Sequence, residues 1–253
     1  MITYEGPKRV EEWALFLDVD GTIVEIAESP DAVHVPDALL HALQFASERE
    51  SGALALVSGR SLADLDKLFS PHRFTAAALH GLERRNAAGC LLRPAISISS
   101  LDGARAELHA FAVTHPGLLV EDKGLALALH FRRAQELAPQ ARVIVERIVA
   151  SMGPAFHIQP GKCVLEIKPA NFTKRTAIEA FMREAPFVGR RPVFVGDDLT
   201  DEDGFQAVNA MHGLSVRVGA SDYDSAAQYR LSTVAATIQW LRQPAQSQEA
   251  RGT

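Results

Sequence analysis

Two aspartates, Asp18 and Asp20, stand two residues apart directly after the apolar run Trp13–Leu17. Successive side chains of a strand point to opposite faces, so both carboxylates can reach one edge of a sheet only if the chain turns at once. Gly21 permits such a turn. One carboxylate could attack phosphorus, and the other could protonate the leaving alkoxide and later activate water. The pattern indicates phosphoryl chemistry; the alternative is a strand-to-turn junction with polar aspartates.

A second acidic segment follows the apolar run 193–195 and contains Asp197, Asp198 and Asp201. Carboxylates this dense repel one another unless a hard cation neutralises them, and oxygen ligands of this kind favour Mg²⁺. A site made by Asp18, Asp197 and the main chain of Asp20 would suit that ion, with Asp201 in the metal shell or orienting a lysine. The alternative is an acidic helix N-terminus that caps backbone amides.

Two further segments carry groups that could bind phosphate. Ser58, Gly59 and Arg60 follow the apolar run 53–57, and a hydroxyl with nearby amides can hold phosphoryl oxygens. Lys174 opens a predicted helix over 173–183 and could pair with both the nucleophile and the phosphate. The alternatives are a serine helix cap and a solvated lysine, while Lys162 and Lys168 are other candidates for the catalytic lysine.

The elements that must position these groups alternate along the chain. Short apolar runs at 14–17, 53–57, 74–79, 192–195 and 214–218 predict strands, and helical patterns lie between them. This alternation is typical of an α/β fold with a parallel sheet. Residues 86–170 differ, because helices at 100–115 and 138–152 accompany a strand at 125–131 and a hairpin at 155–167. We predict an α/β core domain over 1–85 and 171–253 and an inserted α+β domain over 86–170.

Composition restricts the function classes. The 253 residues carry a net charge of −5, which argues against a nucleic-acid partner or an anionic membrane surface. Two cysteines, Cys90 and Cys163, suit a reducing compartment better than a disulfide framework. No apolar stretch approaches membrane-spanning length, and residues 1–12 lack the apolar centre of a signal peptide. We expect a cytoplasmic protein.

Four groups of residues, taken in chain order, resemble the four motifs of the haloacid dehalogenase (HAD) superfamily. They are Asp18 with Asp20, then Ser58, then Lys174, and finally Asp197 with Asp201. The resemblance implies a Rossmann-like core with a cap inserted between the second and third motifs. It also implies a Mg²⁺-dependent phosphotransferase that forms an aspartyl-phosphate. The implied roles are nucleophile for Asp18, acid and base for Asp20, charge neutralisation by Lys174 and Ser58, and metal binding by Asp197.

Segments in and beside the insertion are similar to the trehalose-6-phosphate phosphatases, namely LHGLE at 79–83, VEDK at 120–123, LHFR at 129–132 and GKCVLEIKP at 161–169. The resemblance implies hydrolysis of trehalose 6-phosphate. A related sugar phosphatase, acting on sucrose, glucosylglycerol or mannosylglycerate phosphate, is the runner-up, and a non-catalytic sugar-phosphate sensor is a further alternative. One departure is Arg175, where the family often has glycine.

A disaccharide offers many hydroxyls and no charge, so its recognition needs carboxylate acceptors and cationic donors. The alternative for such residues is an ordinary row of outward charges on half-exposed strands.

The partner we expect is a small sugar phosphate, and we expect neither a nucleic acid nor a membrane as a partner. The expected oligomeric state is a monomer. The predicted substrate-binding residues are Thr22, Gly59, Arg60, Glu83, Glu121, Lys123, Arg132, Lys162 and Glu166.

Overall fold

The computed structural model describes residues 6–7, 12–27, 33–94, 98–220 and 223–244. In chain order the strands are β1 (Trp13–Leu17), β2 (Leu54–Val57), β3 (Ala76–Ala78), β4 (Glu83–Arg85), β5 (Leu91–Leu92), β6 (Leu119–Asp122), β7 (Leu127–His130), β8 (Phe156–Gly161), β9 (Val164–Pro169), β10 (Arg191–Gly196), β11 (Leu214–Val218) and β12 (Tyr229–Leu231). The helices are α1 (Asp37–Arg49), α2 (Leu62–Leu68), α3 (Asp102–Thr114), α4 (Ala138–Met152), α5 (Lys174–Phe181), α6 (Glu202–Ala210) and α7 (Val234–Leu241).

The chain divides into two compact units. The first comprises Met1–Leu92 and Lys174–Thr253, and the second is Arg93–Thr173. These limits differ from the predicted 85/86 and 170/171 boundaries by a few residues. The difference arises at the first boundary because β4 and β5 form a hairpin that continues the sheet of the first unit.

The first unit is built on an eight-stranded sheet of order β12-β11-β10-β1-β2-β3-β4-β5. The six strands from β12 to β3 are parallel, and β4 and β5 are antiparallel. Strand β1 lies in the middle and is buried at every position. A parallel sheet covered on both faces needs such continuous apolar strands, which is why these runs were visible in the sequence.

Two apolar layers enclose this sheet. Trp13, Leu15 and Leu17 of β1 pack with residues of α1, α2 and α7, whereas Ala14 and Phe16 pack on the opposite face with residues of α5 and α6. Alternate residues of one strand therefore fill opposite layers. This packing holds the carboxyl ends of β1 and β10 side by side, because Leu17 pairs with Val195.

The second unit has a four-stranded antiparallel sheet of order β6-β7-β9-β8. Its apolar face packs against α3 and α4 through Leu127, Leu129, Leu165 and Ile167. The predicted hairpin between β8 and β9 is confirmed, with Gly161 paired to Val164 at its turn. Strand β6 was not predicted, because its short sequence LVED lacks an extended apolar run. No helix in the described ranges is long and apolar enough to cross a membrane.

Candidate active site

The candidate site forms where β1 and β10 end next to each other. Asp18 directly follows β1 and Asp197 directly follows β10. The N–H of Asp18 donates to the carbonyl of Val195 at 2.9 Å, so the pairing of the two strands continues to the first catalytic candidate. Ligands of open α/β sheets bind at this carboxyl edge. The sheet topology thus joins two acidic segments that are nearly 180 residues apart in the chain.

Three carboxylates converge at this edge. Asp18, Asp197 and Asp201 each offer an oxygen, and these oxygens lie within 4.8 Å of one another. Thr22 lies between the first two, with its Oγ1 3.3 Å from Oδ2 of Asp18 and 3.1 Å from Oδ1 of Asp197. Its single proton can be donated to either carboxylate. The side chain of Asp20 is not part of this cluster, and its main chain stays the predicted metal ligand.

Lys174, the first residue of α5, supplies a positive charge to the cluster. Its side chain is 3% exposed, and Nζ donates to Oδ1 of Asp18 at 2.7 Å and to Oδ1 of Asp201. Burial by itself would lower the pKa of Lys174, but the charges of Asp18 and Asp201 outweigh burial and raise that pKa above its ordinary value. Lys174 is therefore an ammonium ion held between two carboxylates.

Asp201 is completely buried, and both of its oxygens are occupied by protein donors. Oδ1 accepts from Lys174, and Oδ2 accepts the N–H groups of Asp197 and Asp198, each at 2.9 Å. Gly196 makes this packing possible, since a Cβ there would lie 2.4 Å from Cγ of Asp201. Asp201 thus holds both the lysine and the backbone that carries Asp197.

Gly21 is required for two reasons. Its φ of +82° lies in the left-handed region, and a Cβ at this position would come within 2.1 Å of Oδ2 of Asp197. The turn that the sequence predicted after Asp20 is present, with the N–H of Gly21 donating to the carbonyl of Val24 at 2.8 Å. A side chain at residue 21 would displace the carboxylate of Asp197.

The electrostatics of the cluster reflect an excess of negative charge. Burial is the main cause that raises the pKa of Asp18 well above its ordinary value, opposed by Lys174 and reinforced by Asp201 and Asp197. Burial followed by the charge of Asp201 raises the pKa of Asp197 to about 7. Three carboxylates, two of them buried and that of Asp197 half-buried, lie beside one ammonium group and form a site that favours a further cation.

The side chain of Asp20 has a partner that the sequence did not predict. Arg60 makes a bidentate pair with it, donating from Nε to Oδ2 and from Nη2 to Oδ1, each at 2.7 Å. A planar guanidinium fork fixes both the position and the orientation of a carboxylate. The structure therefore places Arg60, which was predicted to bind substrate, on the candidate acid and base.

Ser58 is buried at the end of β2, beside the loop that carries Arg60. Its Oγ accepts the N–H of Arg60 at 3.2 Å. Gly59 lies against the ring of His80, because a Cβ on Gly59 would be 2.7 Å from Nε2 of that histidine. Leu79 and His80 have φ values of 48° and 55°, a rare conformation for non-glycine residues that often marks functional loops.

Glu83 has a structural contact in this unit. It is buried, and its Oε2 accepts the N–H of Leu62, the first residue of α2, at 3.2 Å. A carboxylate at this position satisfies one of the free amides of the helix N-terminus and interacts favourably with its dipole. Its predicted contact with the sugar stays a prediction.

The second unit brings three predicted sugar-binding residues onto one face of its sheet. Glu121 and Glu166 both pair in register with Ala128, so the two side chains lie in one row on the face opposite α3 and α4. Nζ of Lys123 donates to Oε2 of the buried Glu166 at 3.0 Å, and Nε2 of His130 lies 2.8 Å from Oε2 of Glu121.

Arg132 and Lys162 are not in this row. Both are exposed and follow the ends of β7 and β8 respectively. Their predicted contacts with the sugar are not tested by the structure and stay predictions.

A residue that the sequence analysis overlooked lies beside Asp197. Arg217 in β11 is buried, and its Nη2 donates to the main-chain carbonyl of Asp197 at 3.1 Å. The available signal was an arginine inside the otherwise apolar end of a predicted buried strand, Val216-Arg217-Val218. Arginine is almost never fully buried unless it is paired, so a buried arginine in a strand indicates a specific contact.

The first unit therefore contains the groups needed for covalent phosphoryl chemistry. Asp18 is a carboxylate at the sheet edge, Asp20 is a second carboxylate two residues away, and Lys174 is a fixed cation in contact with the first. The acidic cluster supplies the oxygen ligands that hard divalent cations prefer.

Comparison with known proteins agrees with this geometry. The family model described as trehalose-phosphatase matches residues 16–235. The chain is 43% identical over 237 residues to a trehalose-6-phosphate phosphatase of Escherichia coli (strain K12), an alignment that covers 94% of this chain and 88% of that protein.

Solved structures are similar as well. A trehalose-6-phosphate phosphatase related protein superposes with a TM-score of 0.76 at 25% identity, covering 90% of this chain and 95% of that one. A phosphatase of the HAD superfamily from Bacteroides thetaiotaomicron superposes with a TM-score of 0.62 at 19% identity, covering 91% and 92% of the two chains. These matches confirm the predicted HAD-like α/β core with an inserted α+β segment.

Proposed function

The chain belongs to the trehalose-phosphatase family, and on that premise we propose that it hydrolyses trehalose 6-phosphate to trehalose and phosphate with Mg²⁺ through an aspartyl-phosphate. The observation that carries the proposal is the contact of Lys174 with Asp18 inside the cluster with Asp197 and Asp201. The similarity of the chain to proteins named as trehalose-6-phosphate phosphatases supports the choice of sugar.

In the first step, Oδ2 of Asp18 attacks phosphorus, because Oδ1 is engaged by Lys174 at 2.7 Å whereas Oδ2 has only the longer contact of 3.3 Å with Thr22. The bond from phosphorus to O6 of the sugar breaks while the bond to Asp18 forms. Lys174 and the hydroxyl of Ser58 stabilise the negative charge of the transferring phosphoryl group. This geometry assigns the two oxygens of Asp18 separate tasks.

Asp20 is the proposed acid and base. It donates a proton to the departing O6 and then removes a proton from the water that cleaves the aspartyl-phosphate. Arg60 holds Asp20 by both oxygens in this structure, which fixes the position of the carboxylate required in the second step. Protonation of the leaving group requires at least one of these two hydrogen bonds to be released.

The residues present fit a hard divalent cation. Three carboxylate oxygens lie within 4.8 Å of one another, and oxygen-only ligand sets of this type suit Mg²⁺. Asp18 and Asp197, together with the main-chain oxygen of Asp20, are the proposed ligands; Asp201 acts as a positioning residue, because it accepts from Lys174 and from two backbone N–H groups. When bound, the cation supplies charge neutralisation for the phosphoryl oxygens.

The second unit is proposed to recognise the sugar. Glu166 and Glu121 supply acceptors for sugar hydroxyls, and Lys123 supplies a donor that also fixes Glu166. Thr22, Gly59, Glu83, Arg132 and Lys162 remain further proposed contacts. A buried carboxylate among donors discriminates strongly between substrates with and without a matching hydroxyl.

A phosphate-release assay with and without chelator tests the proposed function. We expect trehalose 6-phosphate to be hydrolysed far faster than sucrose, glucosylglycerol or mannosylglycerate phosphates, and removal of divalent cations to stop turnover. Comparable rates on all of these esters would contradict the choice of sugar. Full activity in chelator would contradict the metal, and release from none of the esters would contradict hydrolysis itself.

Glu166→Gln is expected to separate sugar recognition from chemistry. The variant keeps the shape of the side chain and loses the charge that pairs with Lys123 at 3.0 Å. We expect kcat/KM for trehalose 6-phosphate to fall about 10- to 100-fold, the effect of one hydrogen bond to a charged group. Turnover of p-nitrophenyl phosphate, which has no sugar, should stay within about twofold.

The matched control is Glu107→Gln, which removes a carboxylate that pairs with Arg147 on the helical side of the same unit. We expect this variant to be unchanged on both esters. Equal losses on both esters for Glu166→Gln would argue against a sugar-reading role.

A further inference from the structure

Arg217 is a buried arginine that the chemistry described so far does not use. It lies in β11 opposite Gly196 in the register of the sheet, immediately beside the start of the second acidic segment. Its side chain is 5% exposed, and Nε and Nη1 have no hydrogen-bond partner among the described residues. Burying such donors unsatisfied costs stability, so this arginine is poorly explained by folding alone.

The contacts that Arg217 does make lead to the acidic cluster. Nη2 donates to the carbonyl of Asp197 at 3.1 Å, and the guanidinium lies over the ring of Tyr223, 4.2 Å from its centroid. Stacking on an aromatic ring restricts the plane of a guanidinium. The donor is thereby aimed at one carbonyl.

The backbone around Asp197 is consequently held on two sides. The carboxylate of Asp201 accepts hydrogen bonds from the N–H groups of Asp197 and Asp198, while Arg217 donates to the main-chain carbonyl of Asp197. With its N–H and its carbonyl both engaged, the backbone of Asp197 is fixed, which limits the directions that its carboxylate can take. Groups that hold a metal ligand in this way typically contribute 10- to 100-fold to metal affinity.

We propose that Arg217 is a positioning residue that orients Asp197 for a divalent cation. The proposal rests on the proposed function, in which Asp197 is a metal ligand. The positive charge of Arg217 also lies beside the second acidic segment. The predicted signature of Arg217 substitution is therefore weaker metal binding, rather than a loss of chemistry once metal is saturating.

Titration of the purified protein with Mn²⁺, with free Mn²⁺ followed by electron paramagnetic resonance and no substrate present, tests the proposal. We expect Arg217→Met to bind Mn²⁺ about 10- to 100-fold more weakly than wild type. In activity assays, the Mg²⁺ concentration for half-maximal rate should rise by a similar factor, with a much smaller change in kcat at saturating Mg²⁺. Mn²⁺ affinity within twofold of wild type would overturn the proposal.

The control is Arg230→Met. Arg230 pairs with Arg217 in the register of β11 and β12, and its Nε donates to the carbonyl of Gly219 at 2.7 Å, which is not part of the acidic cluster. The Arg230→Met substitution removes the same kind of guanidinium-to-carbonyl contact and should leave Mn²⁺ affinity unchanged. An equal loss in Arg230→Met would also overturn the proposal, because it would show a general effect on the sheet.

Arg217→Lys serves if the methionine variant does not fold. It keeps the charge and loses the planar fork, so we expect Mn²⁺ binding at least about threefold weaker than wild type, and unchanged affinity would overturn the proposal. A wild-type protein that binds Mn²⁺ but hydrolyses no sugar phosphate would contradict the proposed function and leave this role of Arg217 standing. A wild-type protein that binds no Mn²⁺ would overturn the role of Arg217.

Discussion

Replacing Asp18 with asparagine is expected to reduce hydrolysis of trehalose 6-phosphate by at least about 10⁴-fold, because an amide cannot form the covalent intermediate and losses of this size or larger follow removal of an enzymatic nucleophile. The assay is phosphate release at saturating Mg²⁺. Binding of substrate should survive, so a ligand titration of the inactive variant is expected to give an affinity near the wild-type value.

Asp18→Asn is also expected to fold normally. The amide oxygen can accept from Lys174 as Oδ1 of Asp18 does at 2.7 Å, and the amide nitrogen replaces Oδ2 beside Thr22 and Asp197. Burial already raises the pKa of Asp18 and so disfavours its charge, hence a neutral side chain should not lower the melting temperature of the metal-free protein.

Asp203→Asn is the control, since it neutralises an acid in α6 outside the cluster of three carboxylates. We expect it to retain activity within about twofold. Substantial turnover by Asp18→Asn would refute the nucleophile assignment.

Lys174→Met is expected to lose both activity and stability. One preorganised donor to a developing negative charge typically contributes about 10²- to 10³-fold to kcat, and Lys174 also orients Asp18. Removing one partner of a buried ion pair usually costs about 3–5 kcal/mol of unfolding free energy, because the remaining charges are left uncompensated. Here Asp18 and Asp201 would both lose their cation.

Two measurements separate these effects. Phosphate release reports the loss of activity, and urea unfolding of the metal-free protein reports the loss of stability. Arg175→Met is the neighbouring control, since Arg175 is the next residue of α5 and donates to Gln206 rather than to the cluster. A Lys174→Met variant with near-normal kcat would contradict the assignment of this lysine as the phosphoryl-binding cation.

The core of the fold could be predicted because its strands are buried on both faces. Runs such as Trp13–Leu17 and Leu54–Val57 consist entirely of apolar residues, and that signal survives without any knowledge of their neighbours. Short strands and strands at the edge of a sheet show a weaker apolar signal in the sequence. The hairpin of β4 and β5 has the sequences ERR and LL, and its membership of the core sheet depends on pairing with Ala76–Ala78.

Residue types indicated the chemistry of the site, but not which side chains contact one another. Asp18, Lys174 and Asp201 were expected together on motif order, and the structure shows their hydrogen bonds. The pairing of Arg60 with Asp20 was not predicted, since it depends on two loops that meet only in the folded sheet. Sequence spacing contains no information on such tertiary partners.

The central claim is that Asp18 becomes covalently phosphorylated, and detecting a phosphoryl group on Asp18 tests it most directly. The suitable experiment is the reaction of the Asp20→Asn variant with p-nitrophenyl phosphate. This leaving group departs without a proton, whereas hydrolysis of the intermediate still needs the base. We predict a rapid burst of about one p-nitrophenolate per enzyme, and a phosphoryl group on Asp18 in the peptide map of the acid-quenched protein. A burst with the phosphoryl group on another residue, or steady phosphate release with no protein-bound phosphoryl group, would contradict the mechanism.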